Sequence, residues 1–210
     1  MTYYGAKEMA ASFRTVRGNT IKIAEEIPED KYSFRPAPET RSVAETLAHM
    51  GVSTGFQSHV HTNKIGDMAQ LNFQELFQKF STEESKPRTK AELIAFLKQE
   101  GDAFASFVEG LPESFLAEQV SMRPGMQPAS KSRFEMLLSA KEHEMHHRGQ
   151  LMTYQRLIGQ VPHLTRQMQE RMAAMMAAQQ QQALVERAAL AEPQAAVGSV
   201  AAEAGFDPRC

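Results

Sequence analysis

With 210 residues, of which 42% are hydrophobic and 23% charged, the chain can bury one good core and leaves room for only a small second unit. A formal net charge of −2 supplies no general attraction to phosphate backbones, and no window approaches the apolar length of a membrane span; the sequence therefore predicts no nucleic-acid and no membrane partner. The single cysteine, Cys210, excludes an intrachain disulfide and a cysteine-rich metal site.

The first residues, Met1 to Glu8, lack a basic region followed by an apolar run, so a cytoplasmic protein is expected. Met9, Phe13, Val16, Ile21 and Ile23 recur at helical intervals until Pro28, which predicts a helix over 4–27. Three capping boxes follow, Ser42 to Glu45, Thr89 to Glu92 and Ser132 to Glu135. In each, the hydroxyl and the glutamate satisfy each other's orphan backbone donors. Apolar residues at three- and four-residue spacing lie behind them (Val43, Leu47, Met50; Leu93, Phe96, Leu97; Phe134, Leu137, Leu138), predicting helices over 42–64, 89–110 and 132–159.

The connections near 65–88 and 111–131 carry Pro87, Pro112, Pro124-Gly125 and Pro128 and show no strand alternation. Phe73 to Phe80 suggests a short helix inside the first of them. Connections of this length either cover one end of the molecule as lids or run over it as irregular surface. Beyond Pro162, the residues Leu164, Met168, Met172, Met175 and Met176 continue a helical pattern, predicting a further helix to near residue 190. Its methionine stripe is expected to pack on the bundle or on a second subunit, and homodimerisation is expected because a helical bundle exposes apolar helix faces and this chain has a long C-terminal extension. Glu192 to Cys210 has little hydrophobic mass and reads as a disordered tail. The reading is all-α: a four-helix bundle over 1–165 and a C-terminal helical extension with tail over 166–210.

The most informative stretch is His143-Glu144-Met145-His146-His147-Arg148-Gly149-Gln150. Residues i and i+4 of a helix lie one above the other, so His143 and His147 can offer ring nitrogens to a single divalent ion. A third ligand must come from elsewhere, since catalytic sites of this kind keep three protein ligands and one open position. His49 sits among Val43, Leu47 and Met50 on the face expected to be buried, either as a satisfied core histidine or as that ligand. His146 lies about 100° around the helix from His147 and cannot easily share the ion. Glu144 and Arg148 are the candidate catalytic residues. The first is a base or an orienting group, with a solvated carboxylate as the plain alternative; the second pairs with a substrate anion or forms a structural salt bridge. Gln150 is placed to hydrogen-bond within the bundle. His59, His61 and His163 read as solvent-exposed.

Together, Tyr32 to Pro38 (YSFRPAP), Ser42 to His49 (SVAETLAH), His143 to Leu151 (HEMHHRGQL) and Tyr154 through Gly159 resemble, in order and spacing, the DinB-like (DinB/YfiT) metal-binding proteins. The resemblance covers roughly residues 1–165. It implies a four-helix bundle whose divalent metal, commonly nickel or zinc, is held by three histidines, at positions His49, His143 and His147 here. It also implies a metal-dependent enzyme acting on a small-molecule substrate. Characterised relatives include thiol-dependent transferases and isomerases that use a low-molecular-weight thiol such as bacillithiol or mycothiol. Two readings compete: a metal-binding or interaction module without catalysis, and a zinc metallohydrolase in which His143-Glu144-Met145-His146-His147 acts as an H-E-x-x-H motif with Glu144 as base.

Overall fold

The computed structural model describes residues 3–197, with side chains through residue 190. Ser42, Thr89 and Ser132 each accept a hydrogen bond from the backbone N–H of the glutamate three residues on, and a helix starts at the next residue. The elements run α1 (Ala6–Glu26), α2 (Val43–Thr62), α3 (Phe73–Glu84), α4 (Lys90–Glu109), α5 (Glu113–Ala117), β1 (Gln119–Ser121), β2 (Ser130–Ser132), α6 (Arg133–Leu157) and α7 (His163–Val197). α1 stops just short of Pro28, as the missing N–H and the ring require. Beyond α6, Gly159 takes a positive φ of 84° and its N–H reaches the Arg156 carbonyl at 3.1 Å, a left-handed residue ending the helix.

α1 and α2 each pack against α4 and α6, so these two helices occupy opposite corners of a four-helix bundle. The short helix expected from Phe73 is present and runs on to Glu84, while the 111–131 connection, read without strands, is built from short elements. Residues 65–88 hold α3, which packs against α2; residues 111–131 hold α5 and the first part of an antiparallel ribbon in which Val120 faces Lys131. Strands of three residues are too short to show the alternation from which a strand is read.

Two large apolar cores lie inside the bundle. One joins Ile23, Leu47, Met50, Leu93, Leu97 and Leu151; the other joins Met9, Phe13, Phe104, Val108, Leu116 and Leu137. Between them in chain position on α1 and α6 lies a buried polar pair. Arg17 of α1 and Glu144 of α6 form a buried ion pair at 2.9 Å. The same guanidinium donates to the carbonyls of Met50 on α2 and Leu97 on α4, at 2.9 and 3.0 Å. Gly101 makes room for it: a Cβ there would stand 2.8 Å from Arg17 Cγ. The sequence reading of Glu144 as a solvated carboxylate is corrected here, because its residue is 0% exposed.

The chain divides into two units, 1–163 and 164–210. In the second, α7 runs on to Val197, past the end expected near 190, and residues 198–210 of the expected disordered tail lie outside the described residues. Met168, Met172, Met175 and Met176 are exposed. No described helix is long and apolar enough to cross a membrane.

Candidate metal centre

The central turns of α6 present His143 and His147, and the second turn of α2 presents His49 opposite them. The Nε2 atoms of His49 and His143 are 3.1 Å apart, as are those of His143 and His147. One ligand atom from each of the three rings lies within 4.8 Å of the others. A tetrahedral ion with nitrogens at 2.0–2.1 Å sets ligand pairs roughly 3.3–3.4 Å apart. Two of the three ligand pairs, at 3.1 Å, stand close to that separation and all three atoms lie within 4.8 Å of one another, so the rings converge on a space that one ion can occupy.

Two of the rings are oriented from behind. His49 Nδ1–H donates to Glu84 Oε2 at 2.8 Å, and Arg41 Nε donates to the other oxygen of that carboxylate at 3.1 Å. His147 Nδ1–H donates to Gln150 Oε1 at 2.7 Å, while the amide nitrogen of Gln150 meets exposed His146 Nε2 at 3.2 Å. Each bond fixes the tautomer that leaves Nε2 with a lone pair facing the convergence point. His143 Nδ1 is buried with no hydrogen-bond partner among the described residues.

Burial, reinforced by the neighbouring His147 and His49, holds the His143 pKa down at about 4. Burial also lowers that of His147, against the opposing hydrogen bond to Gln150. Both rings are thus neutral at neutral pH, the form that ligates metal. Behind the centre, Arg17 binds the carbonyl of Met50, next to His49, and the carboxylate of Glu144, next to His143. A single side chain ties together the two helices that carry the triad.

A cavity of about 290 Å³ opens beside His49, lined by Arg41, Val52, Phe56, Phe77, Phe80 and Glu84 among others. Its wall is aromatic, with one cation and one carboxylate. Phe77 is exposed at 75%, so an aromatic side of α3 is presented to whatever enters.

Other sequence expectations land differently. Arg148 is half-buried, with its Nε unbonded among the described residues. His61, expected at the surface, is 1% exposed. Its Nδ1 accepts from Arg133 Nη1 and its Nε2–H donates to Gln57 Oε1, both at 3.2 Å, and burial with the Arg133 charge pushes its pKa down to about 4. His163, likewise expected outside, is buried with Nε2 at 3.3 Å from Asn19 Oδ1, and His59 is half-buried. Glu84, Arg41 and Arg17 carry no motif. Their partners lie 33 or more residues away along the chain, and only the fold reveals them.

The model of the DinB superfamily matches residues 12–151. The uncharacterised protein YjoA of Bacillus subtilis is 27% identical over 154 residues, 73% of this chain and 91% of YjoA. The crystal structure of that DinB-like protein covers 73% of this chain and 94% of its own at a TM-score of 0.55 and 25% identity. The structure of Bacillus subtilis YfiT, described as a probable metal-dependent hydrolase with an unusual four-helix bundle topology, matches at a TM-score of 0.59 over 76% of this chain and 91% of its own. With 8% identity, that likeness speaks for the fold alone. Helix order, motif positions and matched span agree: the chain belongs to the DinB superfamily.

Proposed function

We propose that His49, His143 and His147 hold one divalent metal, nickel or zinc, and that the protein is a metal-dependent enzyme acting on a small-molecule substrate. The observation that carries this reading is the convergence of three imidazoles beside an aromatic cavity. Such an ion lowers the pKa of a water or thiol bound to it and makes a nucleophile available near neutral pH. The protein's own residues supply position. Glu84 and Gln150 hold two rings in the ligating tautomer, and Val52, Phe56, Phe77 and Phe80 offer an apolar seat while Arg41 adds a cation at its edge.

The nucleophile that best suits this chain is a small thiol from solution. The resemblance to thiol-dependent transferases supports it, and no cysteine lies among the described residues to serve instead. Water is the second nucleophile to test, prompted by the hydrolase description given to YfiT. The H-E-x-x-H version of hydrolysis fares worse, since Glu144 is locked to Arg17 inside the core and is not placed as a base.

Protein loaded with nickel or zinc should conjugate an apolar electrophile to a small thiol faster than the free ion does, and His143→Ala should abolish the difference. Turnover of an activated ester without thiol would assign water instead. A stoichiometrically loaded protein inert in both assays would overturn the catalytic reading and leave a metal-binding module.

A further inference from the structure

A second cavity, of about 370 Å³, lies further along the side of the bundle where α2 and α6 pack. Phe56, Phe73, Met68, Met122 and Met136 form its walls, and none of the three triad histidines lines it. Its end toward the triad is polar: Gln57 Nε2 donates to Ser139 Oγ at 3.0 Å, one helical turn before His143. The volume falls within the range of small-ligand sites, and unbranched thioether side chains adapt to a flexible guest. Met68 and Met136 belong to a third apolar cluster, against which Phe56, Phe73 and Met122 pack while remaining partly open.

Charge decides what the guest is. Lys131 and Glu135 at the rim pair with each other at 2.9 Å and cancel. Arg123, also lining the cavity, stacks on Phe73 with its guanidinium carbon 3.9 Å from the ring centroid, and has no carboxylate partner among the described ion pairs. The cavity is therefore an apolar sleeve with one uncompensated guanidinium at its mouth. A guanidinium binds a carboxylate through two parallel hydrogen bonds.

We propose that this cavity binds a medium-chain alkyl monocarboxylate, with the chain among the methionine and phenylalanine side chains and the carboxylate on Arg123. The site is separate from the histidine triad and stands whether or not the triad holds a metal.

Isothermal titration of the full-length, metal-stripped chain with decanoate and with decanol tests it. Decanoate should bind at one site at least tenfold more tightly than decanol. Arg123→Gln should bring decanoate down to the level of the alcohol with its circular dichroism melt unchanged. Arg41→Gln, which alters the cavity beside His49, should leave decanoate affinity as it was. Absence of binding, equal affinity for acid and alcohol, unchanged decanoate affinity in Arg123→Gln, or loss in Arg41→Gln would each overturn the proposal, the last by placing the ligand beside the triad.

Discussion

Glu84 is the residue on which the geometry of the centre most depends outside the triad itself. It orients His49 through Nδ1 and is itself held by Arg41. Removing such a partner typically costs 10–100-fold in metal affinity. Glu84→Ala should therefore bind nickel or zinc about 10–100-fold more weakly in a chelator competition, with helicity unchanged; wild-type affinity in that variant would show the hydrogen bond to be idle. His61 illustrates a different cost. Its pKa of about 4 lies below the ordinary value of 6.5, so between those pH values the unfolded chain takes up a proton that the folded one refuses. The stability contributed is complete above pH 6.5 and is lost as pH falls toward 4, with a slope of up to roughly 1.4 kcal/mol per pH unit for one group. Urea titrations at pH 7 and pH 5 should show a smaller loss in His61→Gln than in the wild type. His143 and His147 were legible as a pair because their spacing is itself the signal. Glu84 and the burial of His61 were not, because both arise from contacts between distant segments.

Between elements, the Arg17–Glu144 pair joins the helices and backs the centre. Removing one partner of a buried pair leaves an uncompensated charge and costs about 3–5 kcal/mol, whereas replacing both with apolar groups of similar size is far less costly. Glu144→Ala should lower the unfolding free energy by that amount, and Arg17→Met/Glu144→Leu should recover part of it. Recovery is limited by the lost bonds to the Met50 and Leu97 carbonyls. If the double variant is as unstable as the two single losses combined, the pair is not the coupled unit described here. The long helices were readable from the sequence because a capping hydroxyl and an apolar stripe are local features. α2, α4 and α6 begin directly after Ser42, Thr89 and Ser132. The helix from Phe73 showed its apolar spacing as well, but its C-terminal contact with the centre did not. The ribbon of β1 and β2 left no trace, because three residues cannot display a period of two.

At the scale of the whole molecule, the bundle unit 1–163 contains the triad, its orienting residues and both cavities. A chain ending at residue 165 should consequently fold cooperatively, bind metal as the full chain does, and shift Tm by less than about 4 °C, equivalent to roughly 1 kcal/mol at this size. Failure of that chain to fold would show the bundle to depend on α7. The claim on which the functional reading rests is that the triad holds a metal. The direct measurement is the metal content of untagged protein, by elemental analysis, in the wild type and in His49→Ala, His143→Ala and His147→Ala. Near-stoichiometric nickel or zinc in the wild type, lost from each variant while helicity persists, is the expected result. A wild-type protein that carries no metal and has no affinity for added nickel, zinc or manganese would contradict it and reduce the three rings to packing between α2 and α6.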